Sequence, residues 1–136
     1  MTTSVRFVIP AKREFVGLVR LAIGGLAPAM PFDADTVEDM KLVMSEICTN
    51  IVLGVSEYAA PPPPELAFTV TLNPSDVTIE IDSSEAVDEL MLATSAEWTK
   101  PKQSGYGLSI ITALMDNVEL IPGGDHRSIL RLKKFT

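Results

Sequence analysis

The sequence predicts an α+β fold, a two-layer sandwich in which helices cover one face of a mostly antiparallel sheet. Two observations support this prediction. Segments 11–27 and 37–58 repeat apolar residues at helical spacing, and two pairs of short alternating segments are joined by turn sequences. Because the chain has only 136 residues and no internal shift in composition, we expect one domain over residues 1–136.

The strands are predicted from alternation and from the residues that end them. Segment 5–9 is rich in β-formers and is followed by Pro10, which indicates a short opening strand. Segments 66–72 and 77–81 form a hairpin across residues 73–76, and segments 118–121 and 128–133 form a second hairpin. In the strand that follows the first turn, one face carries Val77, Ile79 and Ile81 and the other Thr78, Glu80 and Asp82.

Three helices are predicted. The first covers 11–27, and the glycine pair Gly24 and Gly25 weakens its end. The second begins at a capping box from Asp35 to Glu38 and runs to about residue 58, with a buried stripe that consists of Val37, Met40, Met44, Ile47, Ile51 and Val55. The third follows residues 105–107, and its apolar residues are Leu108, Ile110, Ile111, Leu114 and Met115.

The segment between the first hairpin and the third helix loses clear periodicity. Residues 85–94 are compatible with a short helix, and residues 97–104 are expected to form a lid. Glycines at the start of a helix favour phosphate binding, because its first amides are unpaired and no side chain blocks approach. A flexible hinge would have the same glycines.

Composition excludes several classes of function. The net charge of -7 disfavours binding to nucleic-acid phosphates. Cys48 and His126 are the only cysteine and histidine, which excludes an internal disulfide, a cysteine-based metal site and a zinc centre. The start of the sequence lacks a signal-peptide pattern and no apolar run is long enough for a membrane span, so we expect a cytoplasmic protein that acts without a membrane.

The candidate site residues on the second helix are Glu46 and Asn50. They are four residues apart, so they lie on one face of the helix, beside the buried stripe. Polar groups at the edge of a core need partners. A structural interpretation, in which Asn50 caps backbone and Glu46 is an exposed helix former, explains the spacing equally well.

Several segments in order resemble the GHKL ATPase superfamily, and most closely its bacterial anti-sigma-factor serine kinases, over nearly the whole chain. Segment 46–50 is similar to the N-box helix of that family, and 98–101 to its ATP lid. Segments 104–111 and 114–119 resemble the second glycine box and the helix–strand junction after it. The resemblance implies a histidine-kinase-like fold, ATP and Mg²⁺ as cofactors, and sigma-factor and anti-anti-sigma partners.

The resemblance also implies a role for individual residues. Asn50 would coordinate Mg²⁺, and Glu46 would be the general base that takes the proton of a protein serine. The nucleotide would be bound by residues from four segments, which are Asp82 at the adenine, Lys100 in the lid, Gly105, Gly107 and Leu108 in the glycine box, and Ser128 near the adenine. Arg20 on the first helix would contact partner proteins, although a solvated basic face explains it without a partner.

Three departures from the family pattern leave alternatives open. The first glycine box, D-x-G-x-G in the family, reads DSSEA over residues 82–86 and has lost both glycines. Leu53 replaces a frequent histidine, and Arg127 stands where a glycine is usual. The resemblance as a whole implies an ATP-dependent anti-sigma serine kinase. The alternatives are a degenerate module of the same fold that binds a partner without turnover, and a small structural domain.

A homodimer is also expected. Members of the family pair through the sheet, and a mean hydropathy of +0.25 in so acidic a chain indicates more apolar surface than one small domain buries.

Overall fold

Five strands form one antiparallel sheet in the order β1-β2-β3-β5-β4. They are β1 Thr3–Pro10, β2 Glu65–Leu72, β3 Asp76–Ser83, β4 Asn117–Pro122 and β5 Ser128–Phe135. The computed structural model describes residues 2–58, 64–83, 107–122 and 128–136. Both predicted hairpins are antiparallel pairs, although β5 also lies against β3 and so separates β3 from β4.

In the described part of the chain, three α-helices accompany the sheet, α1 Val16–Leu26, α2 Ala34–Tyr58 and α3 Gly107–Leu114. A 3-10 turn at Arg13–Phe15 precedes α1, and another at Ala27–Ala29 follows it. The expected helix over 85–94 and the lid over 97–104, with Lys100 and Gly105, lie outside the described residues, as does His126.

The prediction that the first helix begins at residue 11 was wrong. Ala11 donates its backbone N–H to the carbonyl of Pro64 at 2.7 Å, and Lys12 is extended, with φ -128° and ψ 146°. These two residues form a bend between β1 and the 3-10 turn at Arg13–Phe15, so α1 starts only at Val16. At its other end α1 runs through Gly24 and Gly25 to Leu26.

The start of α2 also differs from the prediction, because its cap is Asp33 and not Asp35. Asp33 Oδ1 accepts the backbone N–H of Thr36 at 2.8 Å, and its carbonyl accepts that of Val37 at 3.1 Å. Hydrogen bonds from the backbone N–H and the side chain of Thr36 lower the pKa of the Asp33 carboxyl below its ordinary value of 3.8. Glu38 bonds forward to Lys41 Nζ at 2.9 Å and does not close a capping box.

The core lies between the helices and one face of the sheet. Residues of α2, of the strands and of α3 belong to one buried cluster, which includes Met44, Ile47, Phe68, Ile79, Ile81, Ile111, Leu130 and Leu132. The rings of Phe7 and Phe68, directly opposite each other on β1 and β2, stack with centroids 4.9 Å apart. The predicted architecture, an α+β fold with helices on one face of the sheet, is confirmed.

The other face of the sheet is largely polar and carries no helix among the described residues. Its central ion pair joins Glu80 and Arg131, which lie directly opposite on β3 and β5, with Arg131 Nη2 2.8 Å from Glu80 Oε2. We call this side the open face. Asp82 lies on it, because side chains alternate along β3 and Ile81 is buried on the helix side.

Candidate functional site

Glu46 and Asn50 lie one helical turn apart on α2, and both are half-buried. Their neighbours Ile47 and Cys48 are fully buried, and Ile51 is nearly so. Neither Glu46 nor Asn50 is without a partner in the structure. The two side chains therefore stand at the edge of the core, as the helical spacing predicts, where a carboxylate and a carboxamide are close to both protein and solvent.

Cys48 lies between these two residues in sequence but takes no part in a polar site. Its side chain is fully buried, and this desolvation raises the pKa of the thiol to about 12. The thiol therefore stays protonated at neutral pH, and a protonated, buried thiol is neither a nucleophile nor a metal ligand. Cys48 is a core residue that fixes the inner face of α2.

One end of the sheet gathers the remaining candidates. The register pairs Leu66 with Ser83 and Asp82 with Ile129, so the start of β2, the end of β3 and the start of β5 lie together. We call this the site end. Helix α2 ends at Tyr58, shortly before β2 begins, and so its carboxyl-terminal half, with Asn50, approaches the same end.

Helix α3 runs in the opposite sense to α2. Its last residue, Leu114, is hydrogen-bonded to Lys134 near the end of β5, at the end of the sheet opposite to the site end. Its first residue, Gly107, therefore points toward the site end, followed by Leu108. Ser128 is the first residue of β5 and pairs with Pro122, also at the site end. The topology thus brings Asn50, Gly107 and Ser128 to one end of the molecule.

The structure does not place Asp82 on the same face as Asn50. Asp82 lies at the site end, is half-buried and has a partner, but the pleat of β3 sets it on the open face. Helix α2 packs on the other face. The adenine role that the resemblance gives to Asp82 stays a prediction that this placement does not favour.

Arg20 is exposed on the solvent side of α1. Two large apolar side chains accompany it there, Leu18 with 48% and Leu21 with 72% of its surface exposed. Gly17 and Gly25, one turn on either side of Leu21, have open space where a side chain would stand. This solvent side combines a cation with exposed leucines, which is a composition found at protein interfaces.

The residues present fit Mg²⁺ bound together with a nucleotide. Within the described residues, no three His, Cys, Asp or Glu side chains form a cluster that could hold a metal. Mg²⁺ usually needs no such cluster, because phosphate oxygens and water supply most of its ligands and the protein adds one or two hard oxygens. The Asn50 carboxamide oxygen, at the edge of the core, is a donor of this kind.

Sequence reasoning missed a polar cluster at the far end of α3. Lys134 follows Leu130 and Leu132 on the core face of β5, and it donates to the Leu114 carbonyl at 2.8 Å. A lysine in the place of a third core residue was the available signal.

In the part of the chain that the structure describes, no helix is both long and apolar enough to cross a membrane.

Comparison with known proteins agrees with this geometry. Residues 9–134 match the model of the histidine kinase-like ATPase domain. The serine-protein kinase RsbW of Halalkalibacterium halodurans is 30% identical over a 153-residue alignment that covers 97% of this chain and 83% of the relative. The protein of the same name from Bacillus cereus strain AH820 is 32% identical over 125 residues, with 86% of this chain and 76% of the relative covered. This chain therefore belongs to the family of histidine kinase-like ATPase domains.

Proposed function

We propose that this protein is an ATP-dependent protein serine kinase and anti-sigma factor of the cytoplasm. It would bind a sigma factor in one state and phosphorylate an anti-anti-sigma antagonist in the other. The observation that carries the proposal is the pair Glu46 and Asn50, one turn apart at the edge of the core, at the end of the sheet toward which α3 points. The RsbW relatives, which are named serine-protein kinases, support the reaction class.

In this proposal the nucleotide lies at the site end. Backbone amides of Gly105 and Gly107, with Leu108 next to them, bind the phosphates at the amino-terminal end of α3, where the helix dipole favours negative charge. Lys100 neutralises phosphate charge from the lid. Ser128 lies near the adenine. The family pattern also assigns the adenine amino group to Asp82, a role that the position of Asp82 on the open face does not favour.

The two residues of α2 have separate tasks. Asn50 holds Mg²⁺ through its carboxamide oxygen, and when bound the ion neutralises the phosphate charge that develops during transfer. Glu46 accepts the proton of the attacking serine hydroxyl. The serine oxygen bonds to the γ-phosphorus as the bond between that phosphorus and ADP breaks. Because the residues are one turn apart, one rigid helix sets the distance between the base and the metal ligand.

Phosphate transfer from ATP to a purified anti-anti-sigma protein tests the proposal. Glu46→Gln should keep ATP affinity but slow transfer by about 10²- to 10⁴-fold, the usual contribution of a general base. Asn50→Ala should lose both affinity and transfer. Glu119→Gln, an exposed residue in the middle of β4, is the matched control and should behave as wild type. Equal transfer by wild type and Glu46→Gln would refute the role of Glu46.

The alternative function is a degenerate module that binds a partner without turnover. The lost glycines of segment 82–86 and the position of Asp82 on the open face support it. In this case the wild-type protein would bind a sigma factor and transfer no phosphate, whatever the concentration of ATP.

The partner surface that we propose is the solvent side of α1, with Arg20, Leu18 and Leu21. Binding can be measured with the sigma factors of the source organism, each purified. Arg20→Ala should weaken binding at least tenfold, as an arginine at the centre of an interface often does. Arg6→Ala, an exposed arginine of β1, is the control. Equal affinities of the two variants would exclude α1 as the contact surface.

We also propose a homodimer that forms through the open face. Near the site end, one row of this face is mostly apolar, with Val8, Ala67, Ile129 and Ile121 on neighbouring strands and Asp82 between them. Val8 keeps 44% of its surface exposed in the single chain. A second copy would cover this row without blocking the helix layer.

A further inference from the structure

Four polar contacts hold the carboxyl-terminal end of α3, and the turn that follows it, against β5. Lys134 Nζ donates to the carbonyl oxygen of Leu114 at 2.8 Å and lies 3.9 Å from Asp116 Oδ1. Asp116 Oδ2 accepts the backbone N–H of Phe135 at 2.7 Å, and the Asp116 N–H donates to the carbonyl of Lys133 at 3.0 Å. We call Leu114, Asp116 and Lys134 the clasp.

The position of Lys134 is costly without this contact. It lies on the core face of β5 opposite Val77, which is fully buried, and only 21% of its own side chain is exposed. Placing an ammonium group there requires a partner. The partner is a free carbonyl at the end of a helix, where the dipole favours a positive charge. The lysine therefore makes a specific bond to α3.

Helix α3 depends on tertiary contacts for its direction. The helix has eight residues, and helices this short are marginal without tertiary support. Ile111 and Met115 are buried in the core, so they hold the helix onto the protein. Apolar packing is not directional, however, whereas hydrogen bonds are. The clasp adds directional contacts at the carboxyl-terminal end of the helix.

We propose that Lys134 is a positioning residue for nucleotide binding. It orients α3, and through this helix the backbone amide of Gly107 at the other end, which the function proposed above assigns to the phosphates. An eight-residue helix is about 12 Å long, so a tilt of roughly 5° about the clasp moves its first residue by about 1 Å. A displacement of that size is enough to weaken phosphate contacts strongly.

The test compares two adjacent lysines of β5. Lys134→Met removes the clasp contact and keeps an apolar stem for packing. Lys133→Met makes the same chemical change on the open face, where the side chain does not reach α3. ATP affinity in the presence of Mg²⁺ should fall about tenfold in Lys134→Met and stay unchanged in Lys133→Met. Lys134→Arg can still donate to Leu114 and should recover most of the affinity.

Two further measurements separate positioning from general stability. Amide hydrogen exchange in α3 should accelerate in Lys134→Met, whereas exchange in β2 and β3 should not. Asp116→Asn, which keeps an acceptor oxygen and removes the charge near Lys134, is a milder variant that should also weaken ATP binding, by less. If Lys134→Met is less stable but binds ATP as wild type does, the clasp is structural only and the inference is refuted.

The inference rests on the proposed function. ATP binding by the wild-type protein distinguishes the failure of one from the failure of the other. Failure of the wild type to bind ATP would refute the proposed function, and the role of Lys134 in nucleotide binding with it. Binding by the wild type with equal affinity in Lys134→Met would refute the inference alone.

Discussion

Cys48 gives the clearest prediction at the scale of one residue. Its folded-state pKa of about 12 lies above the ordinary value of 9.0, so the buried thiol contributes stability at every pH below 9.0. As the pH rises from there toward 12, the unfolded chain loses this proton and the folded chain keeps it. The free energy of unfolding should fall by up to about 1.4 kcal/mol per pH unit because of this group.

Lysines and tyrosines titrate in the same range, so the measurement is the difference between wild type and Cys48→Ala. Urea unfolding at pH 8 and pH 10.5 should show that the two proteins converge as the pH rises. A thiol reagent should modify native Cys48 only as fast as the protein unfolds. Rapid modification at pH 8 without unfolding would show that the thiol is accessible and would contradict this account.

Residue-scale predictions from the sequence succeeded where periodicity decides burial. The helical repeat predicted that Glu46 and Asn50 lie beside the buried stripe, and both are half-buried. Periodicity could not choose the cap of α2, because Asp33 and Asp35 are both good capping residues a few positions apart. The choice depends on which carboxylate reaches the Thr36 amide, and the backbone conformation of the residues before the helix determines this.

At the scale of elements, the glycines of α1 give a matched pair of predictions. A methyl group on Gly25 would meet open space, so Gly25→Ala should stabilise the protein by about 0.5–1 kcal/mol through helix propensity. A methyl group on Gly24 would lie 3.0 Å from Lys41 Cε, so Lys41 must shift and Gly24→Ala should gain less. Thermal and urea unfolding of both variants measure the difference, and a larger gain for Gly24→Ala would contradict the packing described.

Most elements were predictable because each has a strong local signal. Alternation predicted the faces of β3, and turn residues predicted the hairpin at 73–76, where Asn73 and Asp76 bond through both backbone and side chains. The start of α1 was not predictable. Residues 11 and 12 fit the helical repeat, but Ala11 is hydrogen-bonded to Pro64, far along the chain, and Lys12 is extended.

At the scale of the whole molecule, the open face predicts association. Val8→Glu would place a charge in the apolar row of a homodimer, and burial of an unpaired charge opposes pairing. Sedimentation equilibrium should find the wild type as a dimer and Val8→Glu as a monomer that remains folded. Arg6→Glu, on the same strand and face but in the polar row, should weaken the dimer less. A monomeric wild type at micromolar concentration would exclude the proposed dimer.

The layering of the molecule followed from the sequence, but the strand order did not. Alternating strands and amphipathic helices predict two layers around one core. Nothing local places β5 between β3 and β4, because pairing of β3 with β5 joins segments that are about 50 residues apart in sequence. The contact between Lys134 and Leu114 was missed because it depends on how α3 packs on β5.

The central claim is that the site end of this molecule binds Mg²⁺ and ATP through Asn50, and thermal unfolding with and without both ligands tests it most directly. Ligand at a hundred times its dissociation constant should stabilise the native state by about 2.7 kcal/mol, a shift of several degrees for a domain of this size. Asn50→Ala should lose the shift, and Asn117→Ala, at the opposite end of the sheet, should keep it. No shift of the wild type at millimolar ATP, or an undiminished shift in Asn50→Ala, would contradict the claim.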